Sequence, residues 1–407
     1  MRSGRHVKCP AGEGPKANSG MLFTIYEANH GSRDGIIDYI AILTEVLTRR
    51  GHEVVVSRSF CNRGINLVID EFTSIRSNHD LKVFKSANPG AVVVIVLTEF
   101  IEKRWFVRSF NFFGGLLDAA VIASMNVYFR MQRRDFRRST ARDWCTALLF
   151  APLLPIHYVV GLLAEASKRQ RRSLTGRLHR LAYWLMRYQG LEAMAPYADA
   201  AILSHPMIER NLQSIAPTLP VFGTICPEID LGKVTRTVCV GKALGIEITG
   251  SITSYRQRII KKLDTCIVLS GLNRVFGRCE VIPFGQGVGD RRCAYSLHPP
   301  QTKKWRYSSP TRIYGAYTRD HNIPVLTRNF CQHPIEKAAL VFRGPETLIE
   351  MHSYFYDRPR LLEEIRRRID DYNVAARVAN DAIVEALVSI ASEGGNKTCG
   401  FRVAPIE

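Results

Sequence analysis

The feature that most constrains this chain is a repeated alternation. Short apolar runs are each followed by a polar or glycine-bearing loop, and then by apolar residues at helical spacing. Leu22 to Tyr26 is the first such run; Ile36, Ile37, Ile40, Leu43, Val46 and Leu47 recur at helical intervals after it, and Gly51 supplies a stop. "EVVVS", "INLVIDEF" and "AVVVIVLTEF" read as further strands, and "ADAAILSHPMIERNL" (198–212) as a strand and helix of the same unit. A second series opens at "LGIEITGSITSYRQRIIKKL" (244–263) and continues through "DTCIVLSG", "CEVIPFG", "CAYSLHPP", "IPVLTRNF" and "KAALVFRG". Strands that alternate with helices bury both faces only in a parallel sheet covered on each side. The pattern therefore predicts an α/β fold of two Rossmann-like domains with a central cleft and a C-terminal helical tail running from Pro345 to about Ser392.

The expected organisation is a disordered leader over 1–20, a first domain over 21–230, a second over 231–392 and a flexible tail over 393–407. At 407 residues the chain is long enough for two separate cores. The leader lacks an apolar stretch and so does not read as a secretory signal. Ten scattered cysteines form no CxxC pair and no zinc-like spacing, which fits reduced thiols in a cytosolic protein.

The first domain carries an apolar and basic insertion at 105–190. Residues 110–129 and 146–164 are each about 20 residues long, enough to span a bilayer, and arginines separate and flank them. A single span would place parts of one sheet on opposite sides of the membrane. A hairpin of two spans would carry Arg130, Arg133, Arg134, Arg137, Arg138 and Arg142 across it, and would put Asp118 and His157 within the apolar runs. Helices lying in the membrane surface avoid these problems, and ordinary buried helices are the competing reading. The formal net charge is +19, and residues 130–180 hold 12 Lys/Arg against 3 Asp/Glu. That concentration points to a local anionic partner, such as a membrane surface meeting 105–180, rather than to nucleic acid.

"YSSPTRIYGAYTRDHNIPVL" (307–326) holds the main candidate site. Ser308 or Ser309 can cap a helix, Pro310 suits its first position, and Thr311 and Arg312 bring a hydroxyl and a guanidinium to a helix end that attracts anions. "GIEITGSITSYR" repeats this grammar, with Gly250, Ser251 and Thr253 in the loop and Arg256 near the helix start; its glycines match neither a Walker loop nor GxGxxG. His30, in "EANHGSRD" after the first strand, is a candidate base, and Glu99 closes another strand. His333 and Glu336, one helical turn apart, line the cleft or cap the next helix.

Two serial Rossmann-like domains, a first helix ending in "RRGHEV" and the helix-loop-"IPVL" segment resemble glycosyltransferases of the GT-B fold, of the group 1-like kind. The resemblance covers Met21 to about Ser392. It departs from the family pattern in that Tyr307 to Ala316 has no acidic residue and Asn322 stands where glycine is usual. It implies a nucleotide-sugar donor whose diphosphate meets Gly250, Ser251, Thr253, Arg256, Ser308, Ser309, Thr311 and Arg312. It further implies a saccharide or lipid-linked acceptor near His30, no metal and no cofactor, and work at the cytoplasmic face of a membrane. A nucleotide-sugar epimerase of similar fold, or a non-catalytic basic binding protein, are the alternatives.

Overall fold

The structure, a computed structural model, describes residues 20–27, 36–69, 75–98, 100–101, 187–188, 190–238, 241–249, 252–282, 293–300, 309–327 and 332–392. Two parallel sheets form its frame. The first has the order β2-β1-β3-β4-β5-β6, from β1 (Leu22–Glu27), β2 (Glu53–Ser57), β3 (Ile65–Ile69), β4 (Val92–Leu97), β5 (Ala200–Leu203) and β6 (Val221–Thr224). The second has the order β11-β10-β9-β7-β8, from β7 (Ala243–Thr249), β8 (Glu280–Ile282), β9 (Cys293–His298), β10 (Ile323–Leu326) and β11 (Leu340–Val341). Counted within its own unit, each sheet follows the doubly wound order 2-1-3-4-5, and the first adds a sixth strand.

The local reasons are visible in the residues. β3 and β4 are buried along their whole length, as expected of runs of Val, Ile and Leu covered on both faces. Helix α1 (Ile36–Thr48) turns Ile36, Tyr39, Ile42, Leu43, Val46 and Leu47 inward. It ends at Gly51, whose φ of 79° lies in the left-handed region that glycine enters without steric cost. The amides of Gly51 and His52 close the helix on the carbonyls of Thr48 and Leu47.

Among the described residues the remaining α-helices are α2 (Ile75–Ala87), α3 (Glu209–Ile215), α4 (Leu231–Thr237), α5 (Ser254–Leu269), α6 (Asn273–Phe276), α7 (Pro310–Thr318), α8 (Pro345–Tyr356) and α9 (Arg358–Ser392). Two elements differ from the sequence reading. "DTCIVLSG" is not part of a strand series: Asp264 to Leu269 are the last turns of α5. A short apolar run has no periodicity to separate strand from buried helix, and here it continues a helix already under way. Strand β6 was not anticipated; Gly223 interrupts its apolar pattern.

Helix α9, 35 residues without a break, belongs to neither sheet alone. Leu361, Ile365, Ile369, Tyr372 and Ala376 pack into the core of the second sheet. Ile383, Val384 and Leu387 pack into the core of the first. Between them the helix grips the connection from β6 to α4. Asn373 takes both the amide and the carbonyl of Ile229 (2.9 and 2.8 Å), and Asn380 takes both from Cys226 (3.0 and 2.7 Å). Seven residues of helix rise about 10.5 Å, close to the roughly 10 Å spanned by three extended residues. Equal spacing is why two asparagines two turns apart can hold residues three apart. The Tyr372 hydroxyl donates to the carbonyl of Pro227, between the two clamps. Glu228, also between them, lies 3.4 Å from Arg49, 3.5 Å from Arg50 and 3.9 Å from Arg377, and Arg50 also meets Asp381 at 2.6 Å.

Candidate functional site

In the second sheet the strand order reverses between β7 and β9, and a doubly wound sheet leaves its crevice beyond the carboxyl ends of such a pair. Two helices begin there. After β7, Thr253 caps α5 by accepting from the amide of Arg256 (3.2 Å). Arg256 is therefore in the first turn and is 2% exposed. Its Nη2 donates to the carbonyl of Pro299 (3.3 Å), one residue past the end of β9, so the side chain crosses from one strand end to the other. After β9, α7 starts at Pro310, as the sequence predicts. Thr311 is buried in its first turn, and its hydroxyl lies 2.8 Å from that of Ser309.

Of the two capping candidates, Ser308 lies outside the described residues. Ser309 occupies the capping position, but its side chain makes no capping bond and pairs with Thr311 instead. A nine-residue helix thus starts beside two hydroxyls, neither of which is spent on its amides as an N-cap by Ser309.

Electrostatics brings the two helix starts together. Burial, and after it the charge of Arg312, bring the Arg256 guanidinium down to about 9. Burial also lowers Arg312, which is part-buried. Two guanidiniums from separate helices, drawn back from water and close enough to repel, are stabilised when a polyanion lies between them. Two helix dipoles add to the same field.

A second polar cluster lies where the two sheets' units meet. His205, two residues past β5, is fully buried, and its Nε2 is 3.4 Å from Oε1 of the buried Glu336. Its Nδ1 accepts from the amide of Met207, so Nε2 carries the proton that faces Glu336. His333 caps the short helix Pro334–Ala338 through Nδ1, which accepts from Ile335. Its ring centre lies 5.6 Å from that of His205, and Sγ of Cys226 is 4.0 Å from its Nε2. Of the two sequence readings for His333 and Glu336, the cap holds for His333, while Glu336 serves as a buried partner across the seam.

Burial lowers both histidines below their ordinary range, with Glu336 opposing the shift at His205 and the charge of His205 adding to it at His333. Burial favours the neutral form of each in the folded chain, whereas unfolding frees them to take up protons near pH 6.5. The stability they contribute is complete above that pH and is lost as pH falls below it, by up to about 1.4 kcal/mol per pH unit for each histidine. The melting temperature should drop between pH 7 and pH 5. His205→Asn should flatten that drop, and equal slopes in both proteins would refute the assignment.

No family model and no curated protein matches this chain. Solved structures resemble it in outline. An alpha-glucosyltransferase in complex with UDP and a 13-mer DNA aligns over 92% of this chain and 100% of its own, at 11% identity and a TM-score of 0.48. HepE of Anabaena, in complex with UDP-glucose, aligns over 91% and 100%, at 9% and 0.41. A UDP-forming alpha,alpha-trehalose-phosphate synthase from Burkholderia xenovorans aligns over 86% and 76%, at 10% and 0.39. Identities and scores this low do not bear on chemistry, so the functional argument rests on this chain's own residues.

Of the anticipated site residues, Thr253, Arg256, Ser309, Thr311 and Arg312 are described and stand at the start of α5 or α7. His30, Glu99, Gly250, Ser251 and Ser308 lie outside the described residues, as do the apolar stretches 110–129 and 146–164. Among the described residues no helix is long and apolar enough to cross a membrane, and no group of three or more His, Cys, Asp or Glu is placed to hold a metal ion. Cys61, Cys226, Cys266, Cys279 and Cys293 are in no disulfide.

Sequence reasoning missed His205, Asn373, Asn380 and Glu228. Only His205 carried a local signal, a polar "SHP" directly after an apolar strand. The α7 helix also reaches the first unit in a way not anticipated. The Tyr314 hydroxyl donates to Glu45 of α1 (3.1 Å), and Arg319 lies 3.5 Å from Asp38 of the same helix. Burial and Glu45 together push the Tyr314 phenol up to about 12, so it remains a donor at any physiological pH.

Proposed function

We propose that this protein is a glycosyltransferase that takes its sugar from a nucleotide-sugar bound by the second sheet's unit. The observation that carries this reading is that buried Arg256 and part-buried Arg312 stand in the first turns of two helices at the strand-order reversal, beside a Ser309 that makes no capping bond to α7. In glycosyl transfer from such a donor the bond from the anomeric carbon to the diphosphate breaks, and negative charge grows on the departing diphosphate. Fixed guanidiniums and helix amides aimed at that position stabilise the charge as it develops, without reorganising at the moment of reaction. Ser309 and Thr311 offer hydroxyl donors to the same oxygens. Gly250, Ser251 and Ser308 complete the cradle in this proposal, by their place in the sequence.

The acceptor, a saccharide or lipid-linked saccharide, would meet the donor from the first unit. His30 or Glu99 would take the proton that its hydroxyl loses, and work at the inner face of a membrane follows from the basic insertion. The fold reading, the absence of a need for metal and the roles of these residues stand together as one proposal. The epimerase alternative asks for an acidic and histidine pair facing substrate. Among the described residues, His205 and Glu336 form such a pair, but their side chains are 0% and 2% exposed, which leaves no face for substrate.

A thermal-shift series tests the reading. UDP, the ligand of compared structures, its sugars, other nucleoside diphosphates and a nucleoside monophosphate should be compared. A diphosphate at a hundred times its dissociation constant adds about 2.7 kcal/mol to stability. The melting temperature should rise with diphosphates and little with the monophosphate. No rise with any nucleoside diphosphate or nucleotide-sugar would overturn the proposal.

A further inference from the structure

Helix α5 has two working faces. Its inward face carries Arg256 into the site and Leu263 and Ile267 into the core. At 100° per residue, Arg258, Lys261, Lys262, Thr265, Val268 and Leu269 fall within one outward arc of about 120°. All six are exposed, Val268 by 62% and Leu269 by 77%. The chain then continues directly through α6 to β8, the edge strand of its sheet. It exposes Arg274, Val275, Arg278 and Val281 on the way, Val275 by 36% and Val281 by 46%.

The result is a surface of five cations and four aliphatic side chains. Two carboxylates belong to the same elements: Asp264 accepts from the amide of Cys279 at 3.0 Å, and Glu280 is exposed on β8. Among the described residues none of the five cations has an ion-pair partner.

The molecule offers its own comparison. Val374 and Val378 on α9 are each 60% exposed as well, but they share their arc with Asp370, Asp371, Asp381 and Glu385. Exposed valine alone therefore does not define the feature; interleaving with unopposed cations does. Cations of this kind suit any polyanion. Protruding Val268 and Leu269 do not suit phosphate backbones in water, and they do suit the boundary between headgroups and acyl chains.

We infer that the outward face of α5, with α6 and the edge strand β8, docks on a bilayer containing anionic lipid. The cations meet the headgroups, and Leu269 and Val268 enter the acyl boundary. This surface is built from residues other than those of the 105–180 segment, and the inference holds whether or not the chain transfers sugars, because vesicle binding needs no donor.

Flotation of the full chain with phosphatidylcholine vesicles, with and without 30 mol% phosphatidylglycerol, about 0.1 M salt, tests this. Binding is expected only with the anionic lipid. Lys261→Glu/Lys262→Glu should weaken it by about tenfold or more, and Val268→Ser/Leu269→Ser by about fivefold. Arg58→Glu/Arg63→Glu, the same charge change on exposed residues of the first unit, should alter it by less than about twofold. All six positions are exposed, so folding is not at stake. Absence of binding by the unaltered chain, patch variants that bind as it does, or a control pair that loses as much as the patch pair would each overturn the inference. So would a single-stranded 30-mer whose binding is lost in Lys261→Glu/Lys262→Glu while vesicle binding persists, since the surface would then serve nucleic acid.

Discussion

Asn380→Ala is expected to lower the free energy of unfolding by about 2–6 kcal/mol. Asn380 is fully buried and answers both the amide and the carbonyl of Cys226, itself fully buried. Alanine leaves both backbone groups without a partner, and each orphan buried group costs about 1–3 kcal/mol. Aspartate should not rescue: it can accept from the amide, but it turns a negative oxygen toward the carbonyl. Urea unfolding at neutral pH measures the change, and a loss below 1 kcal/mol would show that solvent or a neighbour can take over the clamp. Asn373→Ala should follow the same pattern at Ile229, somewhat more weakly, because Asn373 is 8% exposed.

Arg312→Ala should weaken binding of the best nucleoside diphosphate by about 1.5–3 kcal/mol, roughly ten- to hundredfold, as the loss of a charge-assisted contact. The second half of the expectation separates an anion site from a structural arginine. In the empty protein Arg312 adds to the burden on Arg256, so its removal should leave the unliganded melting temperature unchanged or slightly higher. Calorimetric titration and a melt without ligand give both numbers. Undiminished affinity removes Arg312 from the site, and a steep loss of unliganded stability makes it part of the scaffold instead. Arg312→Lys should recover part of the affinity, since it keeps the charge and loses the planar fork.

What the sequence disclosed and what it hid divide along one physical line. Elements set by nearby residues were readable: the β-branched runs of β3 and β4, the stop of α1 at Gly51, the start of α7 at Pro310, and the long helical pattern after Pro345. Arg256 and Arg312 were readable as cations near helix starts, but 56 residues separate them, and only the family resemblance placed them at one diphosphate. The asparagine clamps bind partners 144 and 154 residues away, and His205 meets Glu336 across 131. No periodicity encodes such pairings. The behaviour of Ser309 shows a subtler limit. Its type and position suit a cap, yet a competing hydroxyl at Thr311 takes its side chain.

The shared helix α9 has a consequence for how the protein is made. Ile383, Val384 and Leu387 seal a core whose other members come from residues 23–225. A chain emerging from the ribosome will therefore display an unfinished first unit until residues 383–387 have emerged too. Many two-unit proteins let the first unit fold while the second is still being synthesised. Here the first must wait for the helix that follows the second, leaving apolar surface to be shielded by other molecules in the interval.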